Sequence, residues 1–158
     1  MPTATIHTLF CVRHATGTDV ELLDSLFAAL PTALLGSVVG GALVEAVRGI
    51  PEVISAIDVA GGSPDDLFIT TGSNQIDDAL WPGNGETLEL AAGQSAAPNV
   101  SVEFEGSLNI SLFDEDVSSN DLLASITIFS AEQGQGEIAK FGSSDVEHSA
   151  YYVIYSVE

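Results

Sequence analysis

The stretch from Asn109 to Ile128, NISLFDEDVSSNDLLASITI, gathers the residues best able to do chemistry. Asp114, Glu115, Asp116, Asn120 and Asp121 crowd one turn between two apolar-alternating runs, Ile110/Leu112 before it and Ile126/Ile128 after it. Strand, acidic turn, strand is how a β-scaffold presents oxygen ligands to a hard cation. Asp114 and Asp116 lie two apart, so an extended segment aims both the same way. Asp121 returns from the far side of the loop. Asp65 and Asp66 form a second acidic turn, and Asp19 a third. The loops of a sandwich cluster at its two ends. If these three turns share an end, their carboxylates converge and repel one another unless a cation intervenes. Calcium, which takes roughly six to eight oxygens in flexible geometry, is the expected cofactor. The competing reading is a set of solvated turn residues in a very acidic protein.

Other chemistries find less support. The Asp-x-Asp pair is not followed by the glycine and terminal glutamate of an EF-hand loop. His7, His14 and His148 lack zinc-ligand spacing, and Cys11 is the sole cysteine. Cys11 therefore forms no internal disulfide, and it reads as a small buried hydrophobe. The chain shows no nucleophile–base pair, phosphate loop or acid/base carboxylate pair in an apolar setting, so no enzymatic activity is expected.

Composition bounds the partners. The 158 residues carry 23 acidic side chains against three basic ones, Arg13, Arg48 and Lys140, for a net charge of −20. Nothing here could neutralise nucleic-acid phosphates. Bare binding to an anionic membrane is opposed as well, unless bound cations reverse the local sign. Cation sites explain part of the acidity; a surface tuned to high salt is the other explanation. Apolar residues make up 46% of the chain, enough for a real core. MPTATIHTLF lacks the basic and apolar regions of a secretory signal peptide. The expected location is cytoplasmic, or outside the cell by a leaderless route.

The elements that must position the acids read as mainly β. Thr5 to Ala15 is a first strand, with Ile6, Thr8, Phe10 and Val12 on one face and His7, Leu9, Cys11 and Arg13 on the other. LFITT, ETLELAA, the two runs flanking Gly106 in VSVEFEGSLNISLF, LLASITIFSA and two runs near the C-terminus follow, the last being Ala150 to Val157. AGQSAAPN reads as a loop, and Trp81 is placed over a sandwich edge. About eight short strands with these spacings predict one antiparallel β-sandwich domain over residues 1–158.

Between the first two strands the period changes. Leu22, Leu23, Leu26, Phe27 and Leu30 form one helical stripe. Pro31 opens a second helix and Pro51 a third, giving an apolar helical insertion over about residues 20–60. Leu26 to Val44 carries no charge over 19 residues. Gly36 and Gly40 form a GxxxG pair that allows close helix approach. Leu34, Leu35, Gly36, Val38, Val39 and Gly40 are the expected contacts to a membrane or a partner. The alternative is a hairpin buried against itself and the sheet.

FDEDVSSNDLLASITI resembles the third-loop segment of C-two domains, the calcium-dependent phospholipid-binding β-sandwiches of the protein kinase C type. There a strand ends in Asp-x-Asp, a short loop carries a further Asp, and the next strand opens near a glycine, where this chain has Ala124. SPDDLFI is similar to that family's Ser-Asp-Pro-Tyr-Val segment, with Asp66 as the matching acid and Leu-Phe in place of Pro-Tyr. The resemblance covers about residues 5–19 and 63–157. It implies Asp19, Asp66, Asp114, Asp116 and Asp121 as cation ligands, with residues 20–60 inserted in the first loop. The expected function is a non-enzymatic calcium-binding module that engages a membrane or protein partner through the insertion. The alternative is a structural subunit of a homomeric or extracellular assembly in which calcium only stabilises the fold.

Overall fold

The computed structural model describes residues 1–15, 38–39, 64–117, 119–147 and 149–158. Among them run ten strands: β1 (Thr3–Arg13), β2 (Val38–Val39), β3 (Asp65–Thr70), β4 (Leu88–Leu90), β5 (Ser95–Ala96), β6 (Val100–Glu103), β7 (Ser107–Asp114), β8 (Asp121–Phe129), β9 (Ile138–Ser143) and β10 (Ala150–Val157). They form two antiparallel sheets. One has the order β2-β9-β10-β1-β5, with β6 also paired to β1; the other has the order β4-β3-β7-β8. The fold is the mainly β, antiparallel sandwich that the sequence predicts. Each sheet sends one face inward, and the shared core takes Leu9, Cys11, Tyr151, Val153 and Tyr155 from one side and Leu67, Ile69, Ile110, Leu112 and Ile126 from the other. Each side chain of this size contributes roughly 1.5–3 kcal/mol on burial.

β1 departs from the simple alternation read in its sequence. Its register against β10 runs Ala4↔Val157 and Ile6↔Tyr155, then shifts between Ile6 and Thr8 and continues Leu9↔Val153 and Cys11↔Tyr151. The extra residue, His7, flips the parity. Ile6, Leu9 and Cys11 therefore face the core together. A second shift falls between Cys11 and Arg13, at the end of β1 where the chain leaves the sheet.

β8 carries its own bulge. Phe113 pairs with Leu122 and Leu112 with Ala124, so Leu123 is the extra residue. The buried Ser149 hydroxyl donates to the Leu123 carbonyl at 2.6 Å. Across the sandwich, β9 comes so close to β8 that a Cβ on Gly142 would stand 3.0 Å from Ala124 Cβ and 3.1 Å from the Ser125 carbonyl oxygen. On the outer side of the four-stranded sheet, Phe68 stacks on its register partner Phe113 with centroids 5.6 Å apart.

The two runs flanking Gly106 do not form a hairpin. β6 pairs with β1 in one sheet while β7 pairs with β3 and β8 in the other. Gly106, at φ +72°, turns the chain across the sandwich. The segment expected to be a loop at residues 92–99 contributes β5, which pairs Leu9↔Ala96 and Phe10↔Ser95. Trp81 is half-buried against the core and bridges Ile69.

The expected helical insertion lies outside the described residues except at Val38 and Val39, and there the chain is extended. Val38 pairs with Ala139 and Val39 with Ile138. Two adjacent β-branched residues favour extended backbone, and the edge of β9 supplies the hydrogen-bond partners. Leu34, Leu35, Gly36 and Gly40 lie outside the described residues. Among the described residues no helix is long and apolar enough to cross a membrane.

The chain's single lysine is nearly buried. Lys140 Nζ donates to Glu132 Oε1 at 2.5 Å and to the Thr127 carbonyl at 2.6 Å. It also lies 5.0 Å from the Phe129 ring centroid and 5.5 Å from that of Tyr155. Glu132 Oε2 accepts from the Tyr155 hydroxyl at 2.8 Å and from the Phe129 amide at 2.9 Å. Burial alone would raise the Glu132 carboxyl. The hydrogen bond from Lys140 leads the contacts that overcome it and hold the group below its usual range.

Candidate functional site

Strand direction decides which acids can meet. β3 begins at Asp65, β7 ends at Asp114, and β8 begins at Asp121. The registers Leu67↔Asp114 and Asp114↔Asp121 put all three at the same end of the four-stranded sheet. Asp66, Asp114 and Asp121 are half-buried there, while Glu115 and Asp116 are exposed. The Asp66 amide donates to Asp114 Oδ1 at 2.7 Å, and the Glu115 amide donates to the Asp66 carbonyl at 3.0 Å. The acidic turn is thus sewn to the start of β3 through backbone groups.

The carboxyls feel one another. Burial raises Asp114, the Asp66 amide opposes the rise, and the charges of Asp116, Asp66 and Asp121 add to it. Burial and the hydrogen-bonded carboxyl of Asp116 raise Asp121. Two carboxylates about 4 Å apart repel by roughly 4 kcal/mol near a protein surface. Of the expected ligand set, the structure therefore gathers Asp66, Asp114, Asp116 and Asp121 at one end. Asp19 lies outside the described residues. Among the described residues no group of three or more His, Cys, Asp or Glu side chains is drawn together closely enough to hold a metal ion. The donors are of the hard oxygen type that calcium takes.

Asp65 is the residue that the sequence reading placed least well. It is 1% exposed and turned into the sandwich. Its Oδ1 accepts the Ala15 amide at 2.8 Å, and its Oδ2 accepts the Tyr151 hydroxyl. Burial pushes its carboxyl up to about 7 against these two hydrogen bonds, with the charges of Asp114 and Glu147 assisting. Strand parity carried the signal: Leu67 and Ile69 face inward, so Asp65, two residues earlier, must as well. Burial also holds the Cys11 thiol and the Tyr151 phenol, which contact each other beside Asp65, well above their ordinary values.

Two further segments border the acidic end. The turn between β9 and β10 carries Asp145, Val146 and Glu147 next to the end of β1, as the pairs Ser143↔Ala150 and Arg13↔Ala150 require. Asn120 ties the acidic turn to the segment after β3, donating to the Asn74 carbonyl at 2.7 Å and accepting from the Asp116 amide at 3.3 Å. An open depression of about 320 Å³ lies between them, lined by Asn74, Gln75, Asp116, Val117, Ser119 and Asn120. Val117 and Val146 stand exposed at this end, and Leu122 is partly so.

Two histidines are held by hydrogen bonds. His7 Nε2 bonds the Ser156 hydroxyl at 2.8 Å, and His14 Nδ1 accepts the Ala92 amide at 3.1 Å. His148 lies outside the described residues.

No protein-family model matches the chain, and no curated protein sequence matches it. Among solved structures the chain is similar to human GIVD cytosolic phospholipase A2. In that protein's complex with methyl gamma-linolenyl fluorophosphonate and terbium chloride the identity is 13% and the TM-score 0.40; in the complex with the fluorophosphonate alone they are 14% and 0.40. Each match covers 99% of this chain and 17% of the phospholipase chain. The sandwich that places Asp66, Asp114, Asp116 and Asp121 at one end is thus established by this chain's own strands, while a likeness this distant leaves the phospholipase's chemistry with the phospholipase.

Proposed function

We propose that the protein is a non-enzymatic calcium-binding β-sandwich module whose acidic end engages a membrane or a protein partner. One observation carries the reading: Asp66, Asp114, Asp116 and Asp121 share one end of the sandwich, and the Asp114 and Asp121 carboxyls are raised there. A divalent cation would relieve that repulsion by drawing the carboxylates together, with backbone carbonyls and Asp19 as further oxygen donors. In this reading residues 20–60 supply the apolar contact, and the exposed Val117 and Val146 support an apolar landing at the acidic end. Nucleic acid is not a partner, because the chain's −20 charge repels phosphate.

A structural-subunit reading draws on β8, the edge strand of its sheet among the described residues, where Leu122 and Phe129 remain partly exposed. In that reading calcium serves stability and the strand packs against another copy.

Calorimetric titration with calcium chloride tests the site. Wild type binds, and Asp114→Asn/Asp116→Asn loses most of its affinity. Equal affinity in the two proteins removes the ligand assignment. Vesicle co-sedimentation with calcium and with chelator then separates the two readings. Calcium-dependent pelleting supports the membrane module; its absence, together with a large particle by light scattering, supports the assembly subunit.

A further inference from the structure

We propose that the outer face of the six-stranded sheet is a docking surface, and that its occupant is the chain's own residues 16–37 and 40–63. The inference stands apart from the calcium reading. Cys11, Ile138, Tyr151, Val153 and Tyr155 face the core between the sheets, so their neighbours along β1, β9 and β10 face the other way. In the strand register Phe10, Tyr152 and Phe141 then form one row across that outer face, and Thr8, Ile154 and Ala139 form the next. The Phe141 and Tyr152 rings lie 5.2 Å apart. Phe10 is 3% exposed, and Ala139, Tyr152 and Ile154 are fully buried, although none of the four belongs to the core between the sheets. The sequence of β10, AYYVIYSV, carries the same message: its apolar run does not alternate with polar residues, as in a strand covered on both faces. The cover is dry. The Tyr152 hydroxyl is enclosed without a hydrogen-bond partner, and burial pushes the phenol up to about 12. Water or a polar partner would have satisfied it.

The occupant follows from what remains. Off its own sheet β10 packs on β8 and on the turn at Ser130–Glu132, and both meet it from the inside, where the Tyr155 hydroxyl reaches Glu132. The burial is complete within one copy of the chain. A second copy would bring another −20 of charge to the same face. Residues 16–37 begin beyond the end of β1 and lead to Val38 and Val39, which pair with the far edge of β9. Three strand spacings separate β1 from that edge, roughly 14 Å. Twenty-two residues are far more than the span needs, and the inner side of the sheet is already filled. Leu26 to Val44 is also the long uncharged run that a dry apolar face requires. The surface that residues 20–60 could offer a membrane or partner is then the part that the sheet leaves uncovered.

Two measurements on the full chain test this. Ile154→Cys reacts with a maleimide about 100-fold more slowly than Glu103→Cys, which is exposed on β6 of the same sheet. Equal rates mean an open face and overturn the proposal, and protection that is lost on dilution overturns it in favour of a second copy. The occupant is read with a photoreactive side chain, Tyr152→p-azidophenylalanine. After irradiation the chain is unfolded and cut with trypsin, which cleaves only after Arg13, Arg48 and Lys140. The expected adduct joins residues 141–158 to residues between 16 and 63 of the same chain. Adducts confined to residues from 64 onward, adducts between two chains, or no adduct at all overturn the proposal. If that variant does not fold, Phe141→p-azidophenylalanine, on the same row and in the same tryptic peptide, decides by the same outcomes.

Discussion

Replacing Lys140 with methionine removes the only lysine ammonium in the chain while keeping a flexible apolar stem of similar length. The ammonium and the Glu132 carboxylate approach to 2.5 Å with side chains only 11% and 14% exposed. The pair therefore lies near the buried limit, where removing one partner costs roughly 3–5 kcal/mol. Glu132 keeps the Tyr155 hydroxyl and the Phe129 amide, which moves the expectation to the low end. We expect a loss of about 3 kcal/mol in urea unfolding with an unchanged slope, or roughly 6–12 °C in melting temperature for a chain of this size. Glu132→Gln should cost less, because Lys140 still holds the Thr127 carbonyl. The double variant should cost less than the two single losses added together, by about 1–2 kcal/mol. The pH dependence gives an independent readout. Glu132 is held below its ordinary 4.5, so its contribution is present above that value and lost as pH falls through the folded-state value. Lys140→Met should flatten that acid limb. A loss under about 1 kcal/mol, or an unchanged acid limb, would refute the view that this cluster closes the β8–β9 side of the sandwich.

Asp65 titrates with the opposite sign. Its carboxyl rises from 3.8 to about 7, so the native state holds a proton that the unfolded chain releases. The stability it contributes is greatest below about pH 4 and declines as pH rises to about 7, by a total of about 4 kcal/mol. Asp65→Asn should remove this decline, and urea midpoints measured from pH 4 to 8 in chelator check it; parallel curves for variant and wild type would count against a buried, protonatable Asp65. Gly142→Ala sets a methyl 3.0 Å from Ala124 Cβ and against the Ser125 backbone, with no long side chain able to move aside. It should destabilise by about 1–3 kcal/mol, read by thermal unfolding, and a neutral result would mean that β8 and β9 can part freely.

Much of the sandwich was legible because its strands alternate. β10 runs over Ala150–Val157, as its aromatic and β-branched run predicts. The acidic turns came together at one sheet end because antiparallel pairing sets which strand starts and stops are neighbours. The missing information lay in pairing. The flip at His7 exists only when β10 is laid beside β1, so no alternation count along β1 could find it. The same holds for the two runs flanking Gly106, whose parting to opposite sheets no local pattern reveals. Val38 and Val39 sit in a long apolar run whose period suggests a helix, but pairing along β9 makes them a strand. In the sequence Asp65 reads, with Asp66, as turn acidity. Inward-facing Leu67 and Ile69 already required it to be buried, and only the Tyr151 and Ala15 contacts show how that burial is satisfied.

β1 pairs with β6 over its first half, with β5 over its second, and with β10 along its length. Every one of these partners is synthesised after residue 94. During vectorial synthesis, β1 therefore leaves the ribosome as an apolar strand with both backbone edges open, and it waits for most of the chain before either is covered. Its inward residues, Ile6, Leu9 and Cys11, have no native neighbours on the opposite sheet until β3 and β7 arrive. Long-range closure of this kind slows folding and exposes an aggregation-prone edge. The acidic excess already present in the first 94 residues sets self-repulsion between nascent copies against that hazard during the interval before the sandwich can close.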